Sequence, residues 1–205
     1  MAISKIGLAL ALLWVSMATL GAEGAYRYVM NKAGQARVLQ MTVSASPDGW
    51  NLAIDGPGQG QEYRALLDKE WRTRGFELRI PGEGTALTAR LGSGQVLVEG
   101  TLRGKAVKRE TRLDNKRFYH YFTNQMRAFI VSDAKSIAFI SLRPDSLEAM
   151  DFEAIKLERL NLTVAGKATP VWKVKISLAG LLSAFWSATV HYRARTHEPD
   201  STDWL

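Results

Sequence analysis

Residues 86–113, ALTARLGSGQVLVEGTLRGKAVKRETRL, hold three short alternating runs separated by two glycine-bearing turns. Ala86 to Leu91, Gln95 to Leu102 and Lys105 to Leu113 have the length and period-2 patterning of strands, in which successive side chains point to opposite faces. Gly92-Ser93-Gly94 and Arg103-Gly104 suit tight hairpins, because glycine accepts the positive φ such turns demand. The segment therefore predicts an antiparallel meander.

The same pattern extends upstream. Tyr26 to Met30 is a first strand, and Asn31 to Gln35, with Gly34, a turn. In Ala36 to Ala45, Val38, Gln40 and Thr42 alternate with Leu39, Met41 and Val43. Pro47-Asp48-Gly49 is a turn in which Pro presets φ and Gly accepts a positive one. Trp50, Leu52 and Ile54 form the apolar side of the next strand, which Gly56 to Gly60 breaks. Glu62 to Leu67 and Phe76 to Ile80 are further strands, ended by a turn at Pro81 to Gly84.

Downstream the period changes. Phe118, Phe122, Met126, Phe129 and Ile130 share one helical face, which predicts an amphipathic helix over Phe118 to Ser132. Strands resume at Lys135 to Leu142, at Met150 to Val164 (long enough to bend), at Pro170 to Leu178 and at Ala184 to Arg193. Gly166-Lys167 is a turn, and Gly180 to Ser183 re-aims the chain. About ten strands and one helix give a mainly β (α+β) fold. The expected architecture is a large curved antiparallel sheet or open half-barrel, with the helix on its concave face and an apolar groove between them. Residues 25–195 are read as a single β-rich domain and 196–205 as a polar tail.

The N-terminus has its own signature. Lys5 is followed by the uncharged, mostly apolar run Ile6 to Leu20 and then by Gly21, Ala22, Gly24 and Ala25, the order of a secretory signal peptide. The run is shorter than the roughly 20 residues that span a bilayer. Cleavage after Gly24 or Ala22 would place the protein in the periplasm or outside the cell. The chain has no cysteine, which excludes disulfides, thiol nucleophiles, thiolate metal sites and acylation at the cleavage point.

The formal net charge is +7. Arg103, Lys105, Lys108, Arg109 and Arg112 lead a basic stretch that continues to Lys116 and Arg117. They are candidates for meeting an anionic membrane surface or an envelope protein. No nucleic-acid recognition motif is present.

Catalytic signals are weak. His120, His191 and His197 lack metal-ligand spacing, so no metal and no cofactor is expected. On the predicted helix, His120 reads as a hydrogen-bonded surface group. Ser132-Asp133-Ala134-Lys135 spells S-x-x-K, but it falls where a helix ends rather than begins, and K-T-G and S-D-N are missing. Gly56-Pro57-Gly58-Gln59-Gly60 has no helix after it to bind phosphate. Glu148, Asp151, Glu153 and Glu158 are interleaved with Lys156 and Arg159, which suggests cross-strand charge pairs. Aromatic residues remain: Phe122, Met126 and Phe129 on the helix, with Trp172, Phe185 and Trp186 in the last strands, are candidates to line the groove. Phe185 and Trp186 are adjacent and would face opposite sides of a regular strand.

Several segments, in order, resemble an uncharacterised family of exported bacterial β-rich domains. They are Val98 to Lys105, Leu113-Asp114, the aromatic stretch from Phe118 to Phe129, Ser136 to Pro144, Trp172 to Ile176, and Gly180-Leu181-Leu182-Ser183-Ala184-Phe185-Trp186-Ser187-Ala188. The resemblance covers about Ala65 to Arg193, and the last block is its most specific part. It implies kinship with periplasmic lipoprotein carriers, which are open half-barrels with a helical lid, and it carries no catalytic residues to transfer. The family continues its last strand into an Asp-Gly turn and another aromatic strand, whereas here Tyr192 and Arg193 run into the polar tail. The function expected is a non-enzymatic carrier of a lipid, acyl chain or lipoprotein anchor. The alternative is a structural or protein-interaction module of the envelope.

Overall fold

The structure, a computed structural model, describes residues 14–16, 24–32, 35–56, 60–164 and 167–193. The expected tail, most of the expected signal peptide, and the expected turn residues Gly34, Pro57 to Gln59 and Gly166 lie outside the described residues. Trp14–Ser16 forms a short strand β1 on the edge of the first sheet.

That sheet is a continuous antiparallel meander of the described strands β1 to β9, in sequence order. After β1 come β2 (Gly24–Lys32), β3 (Gln35–Ser46), β4 (Gly49–Gly56) and β5 (Gln61–Asp68). Next are β6 (Thr73–Ile80), β7 (Thr85–Gly92), β8 (Gln95–Leu102) and β9 (Lys105–Arg112). The predicted alternation is realised. Met41, Val43, Leu52, Ile54, Tyr63, Ala65, Phe76, Leu78, Leu87, Ala89, Val96 and Val98 belong to one buried cluster. The opposite face carries mixed charges, with Arg64 bonded to Asp55 at 2.7 Å. Both central residues of each predicted hairpin have positive φ: Ser93 49° and Gly94 76°, Arg103 51° and Gly104 78°. That is the geometry of the turn whose twist matches paired strands. Gly100 is required for another reason. Its φ is 135°, and a Cβ there would lie 2.1 Å from the carbonyl oxygen of Ala86 on the neighbouring strand.

The second sheet has the order β10 (Arg117–Phe118), β11 (Ser136–Leu142), β12 (Ala149–Val164), β13 (Lys167–Leu178) and β14 (Ser187–Arg193). Among the described strands only β10 and β11 pair in parallel. Strand β11 separates two cores. Ile140 and Leu142 complete the first cluster from one face, and Ile137 and Phe139 enter a second cluster from the other. The bend anticipated in β12 is a bulge between Lys156 and Glu158.

The single helix expected over Phe118 to Ser132 is not formed. Phe118 lies in β10, and helix begins only at Phe122, as α1 (Phe122–Gln125) and α2 (Arg127–Val131). Between them, Phe118 and Tyr119 enter the first and second cores respectively. A stretch buried on both sides has no polar face, so the spacing of Phe118 and Phe122 imitates a helical period by coincidence. The helices also do not bury their apolar side chains against the large sheet. Met126, Phe129 and Ile130 pack with Phe139, Phe152, Ala154, Val174 and Ile176 of the smaller one. At four and five residues they are too short to hold by themselves, and this packing sustains them.

Candidate functional site

Two features stand out: an aromatic seam running through Phe118 to Phe122 where the sheets meet, and an exposed turn between the last two strands of the smaller sheet.

The seam is built around His120. Its ring stacks on Phe76 with centroids 3.7 Å apart and planes 11° apart, and on Tyr63 at 5.4 Å. The residue as a whole is half-buried. This corrects the expectation of a surface group on a helix. Burial holds the His120 imidazole down at about 3, far under the ordinary histidine value. Burial, with Tyr121 nearby, raises the Tyr63 phenol well above its usual range. His120 Nδ1 and Tyr63 Oη are 3.2 Å apart. A protonated phenol donating to a neutral imidazole fits both shifts. Burial also raises Tyr121, and pushes Tyr119 up to about 12. None of these groups is poised to exchange a proton near neutral pH.

A buried polar knot fixes the seam. The Gln125 side chain donates to Thr73 Oγ1 at 2.9 Å and accepts from the Tyr121 N–H at 3.1 Å. The His120 N–H donates to the same threonine oxygen at 3.0 Å. Gln125 thus satisfies a backbone donor just before α1, while tying the helix to β6. Sequence reasoning missed this residue. The only cue was the polar run Thr123-Asn124-Gln125 between aromatic residues.

The groove candidates separate into three groups. Met126 and Phe129, with 0% and 3% of their surface accessible, are core. A side chain without accessible surface has no water-sized space beside it, so neither lines a groove. Phe122, Trp172 and Trp186 are half-buried at the margin of the same cluster. Trp186 meets Phe152 edge-on at 5.6 Å and Phe122 at 6.4 Å. The Trp172 ring is flanked by Lys156 at 5.3 Å and Arg159 at 5.2 Å, because the bulge brings both cations to its side of β12. Desolvation lowers the Lys156 ammonium, which also donates to the Ser132 carbonyl at the end of α2. Phe185 is the third case, with 81% of its surface exposed. The last strand was expected from Ala184 but starts at Ser187; residues Gly180–Ala184 form a 3-10 turn instead. Gly180, at φ 64°, turns the chain out of β13.

The basic candidates do not form one cluster. Arg103 sits in the β8–β9 turn. Along β9, Lys105 and Arg109 alternate with Lys108 and Arg112 across the two faces. Lys108 lies 4.0 Å from Glu99 on the adjacent strand, and Arg109 donates to the Ser146 carbonyl at 2.8 Å.

The carboxylates expected to pair across strands do so in part, with other partners. Glu158 accepts from Lys173 at 2.8 Å, Asp151 from Lys116 at 2.7 Å, and Glu148 lies 3.6 Å from Arg143. Ser132 Oγ donates to the Phe129 carbonyl at 2.8 Å, which occupies the hydroxyl of the S-x-x-K match in closing a helix. Among the described residues no group of three His, Cys, Asp or Glu could hold a metal, and no helix is long and apolar enough to cross a membrane. A shallow cleft of about 250 Å³, lined by Arg74, Leu91, Leu113, Asn115 and Lys116 among others, lies near the β7–β8 turn.

No family model and no curated protein matches the sequence. Among solved structures, the chain is similar to a β-barrel-like protein of the domain of unknown function DUF1849 from Brucella abortus, with a TM-score of 0.51 and 12% identity. The match covers 78% of this chain and 82% of that one. The likeness is one of fold. It agrees with the resemblance drawn from sequence at the level of a β-rich domain of unknown function.

Proposed function

We propose that this chain is an exported, non-enzymatic interaction module of the cell envelope, which works by docking its surface rather than by enclosing a ligand. The observation that carries this reading is the division of the groove candidates. The residues that would form the groove floor, Met126 and Phe129, are packed solid, while Leu182 and Phe185 are 55% and 81% exposed. Large apolar side chains exposed together mark contact sites more often than chance surface. The leader supports export, and the seam's perturbed groups are shifted away from neutrality rather than toward it.

A second reading keeps one specific observation. Phe122 and Trp186, with ring centroids 6.4 Å apart, form a half-buried aromatic margin that could hold an acyl chain from a lipid or lipoprotein at the surface. Native mass spectrometry of the protein recovered from the periplasm, before and after solvent extraction, separates the two. The docking reading expects the mass of the polypeptide alone. A co-purifying acyl-chain mass that disappears on extraction would overturn it in favour of the carrier.

A further inference from the structure

We infer that the turn bearing Leu182 and Phe185 is an interfacial anchor that seats one end of the smaller sheet on an anionic lipid surface. The inference rests on the docking reading above and names the partner. Leu182 and Phe185 are three residues apart in a 3-10 turn, where side chains at that spacing eclipse and project together. The Phe185 N–H donates to the Leu182 carbonyl at 3.0 Å, which fixes the pair. The turn is held from behind as well. The Ala179 N–H donates to the Asp151 carbonyl at 2.9 Å, and Trp186 is wedged against Phe122 and Phe152. Two apolar side chains are therefore presented on a rigid base.

Charge decides the kind of surface. The turn leaves the sheet where β11 and β13 end and β12 and β14 begin. The 143–148 connection between β11 and β12 leaves the same end. Arg109 of β9 binds that connection through Ser146, and Arg143, with a smaller contribution from Arg103, holds the Asp145 carboxyl within it below its usual range. Lys105 follows as the first residue of β9. Arg103 and Arg109 of the β8–β9 hairpin thus approach the end that carries the apolar pair, beside Asp145 and Glu148 of the connection, on a chain of net charge +7. Two side chains are too few for a protein interface, which needs roughly 1,200–2,000 Å². Lipid binding has no such threshold: it adds buried apolar area to the attraction of Lys and Arg for anionic headgroups.

The test is co-sedimentation of the protein, expressed in full so that any processing occurs, with vesicles of phosphatidylglycerol and phosphatidylethanolamine or of phosphatidylcholine alone. The expected result is binding to the anionic vesicles only, weakened by salt and by Arg103→Glu. Phe185→Asp should reduce it roughly tenfold or more, as expected for losing one buried aromatic side chain. Circular dichroism checks that each variant is folded, and Phe185→Ser serves if Phe185→Asp is not. Anionic binding unchanged by either substitution would overturn the anchor. So would absence of binding to any vesicle. In that case, a photo-crosslinker at position 185 distinguishes the two failures. A crosslink to one defined envelope protein leaves the docking module standing without its lipid, and no crosslink removes both.

Discussion

The two cores of this molecule are built on different terms. The first lies under one face of the meander, and most of its residues are Leu, Ile, Val and Ala arriving at every second position. The second lies between two short helices and the smaller sheet, and it is dominated by rings: Tyr119, Phe122, Phe129, Phe139, Phe152 and Trp186. Aliphatic alternation on a hairpin-linked sheet is specified locally, strand by strand. An aromatic core assembled from segments far apart in the chain depends on each ring finding its partners. Strand β11 shows the boundary, since it supplies one residue to each core in turn. The half-buried margin belongs to the second core, and the exposed turn leads into it through Trp186. The part of the molecule with surface to offer is the part with the less local assembly.

The largest expected effect tests that contrast directly. Phe139 is fully buried and stacks on Phe152 at 5.4 Å, with Tyr119 edge-on at the same distance. Phe139→Ala should destabilise by about 3–5 kcal/mol in chemical denaturation. Leu52→Ala in the first core should fall in the range of about 2–5 kcal/mol, without the ring–ring contribution. If Leu52→Ala proved the costlier of the two, the second core would not be the more tightly interlocked.

Next comes the polar knot joining the two regions. Gln125→Leu leaves the Tyr121 N–H without its partner and Thr73 Oγ1 without one of its donors. The expected loss is about 1–3 kcal/mol. Gln125→Glu at a pH where the carboxyl is protonated should recover part of it. A neutral Gln125→Leu would show that the knot does not hold the seam.

The His120 stack gives a pH signature. In the folded protein burial holds the imidazole at about 3, while in the unfolded chain it titrates near its ordinary value. Between those values the unfolded state binds the extra proton. Stability from this group is therefore complete above roughly pH 6.5 and declines as the pH falls toward 3, by up to about 1.4 kcal/mol per unit. Thermal melts should show a shallower acid limb in His120→Phe than in the parent. Parallel profiles would mean that the ring is protonated in the native state.

The smallest effect is at the exposed turn. Phe185→Asp should change stability by no more than about 0.5 kcal/mol, because the side chain is solvent-exposed. A larger loss would make Phe185 part of the second core and remove it as a contact residue. Measured beside Phe139→Ala, it sets the scale between a ring that holds the fold and one that is presented by it.

These regions differed in how much of them could be read in advance. The meander was legible because period-2 alternation and Ser93-Gly94 and Arg103-Gly104 turns act within a few residues. The seam was not. Its run Phe118 to Phe122 is apolar on both faces, so no single period describes it, and the partners that make it extended, Thr73, Phe76 and Ile140, lie elsewhere in the sequence. Of the groove candidates, spacing grouped Phe122, Met126 and Phe129 correctly on one side, but could not say whether that side met open space or a packed sheet. Trp186 and Phe185 were misplaced in a strand because Gly180 acts beyond its own position, starting a 3-10 turn that delays the strand to Ser187.

The sequence by itself determined the strands, their hairpins, the inward face of the large sheet and the lack of cysteine chemistry, because each follows from neighbouring residues. Tertiary structure alone decided that there are two cores, that the helices serve the smaller sheet, that His120 is shut between rings, and that Phe185 is left outside. Burial is a property of what arrives from the rest of the chain, and local patterning does not contain it.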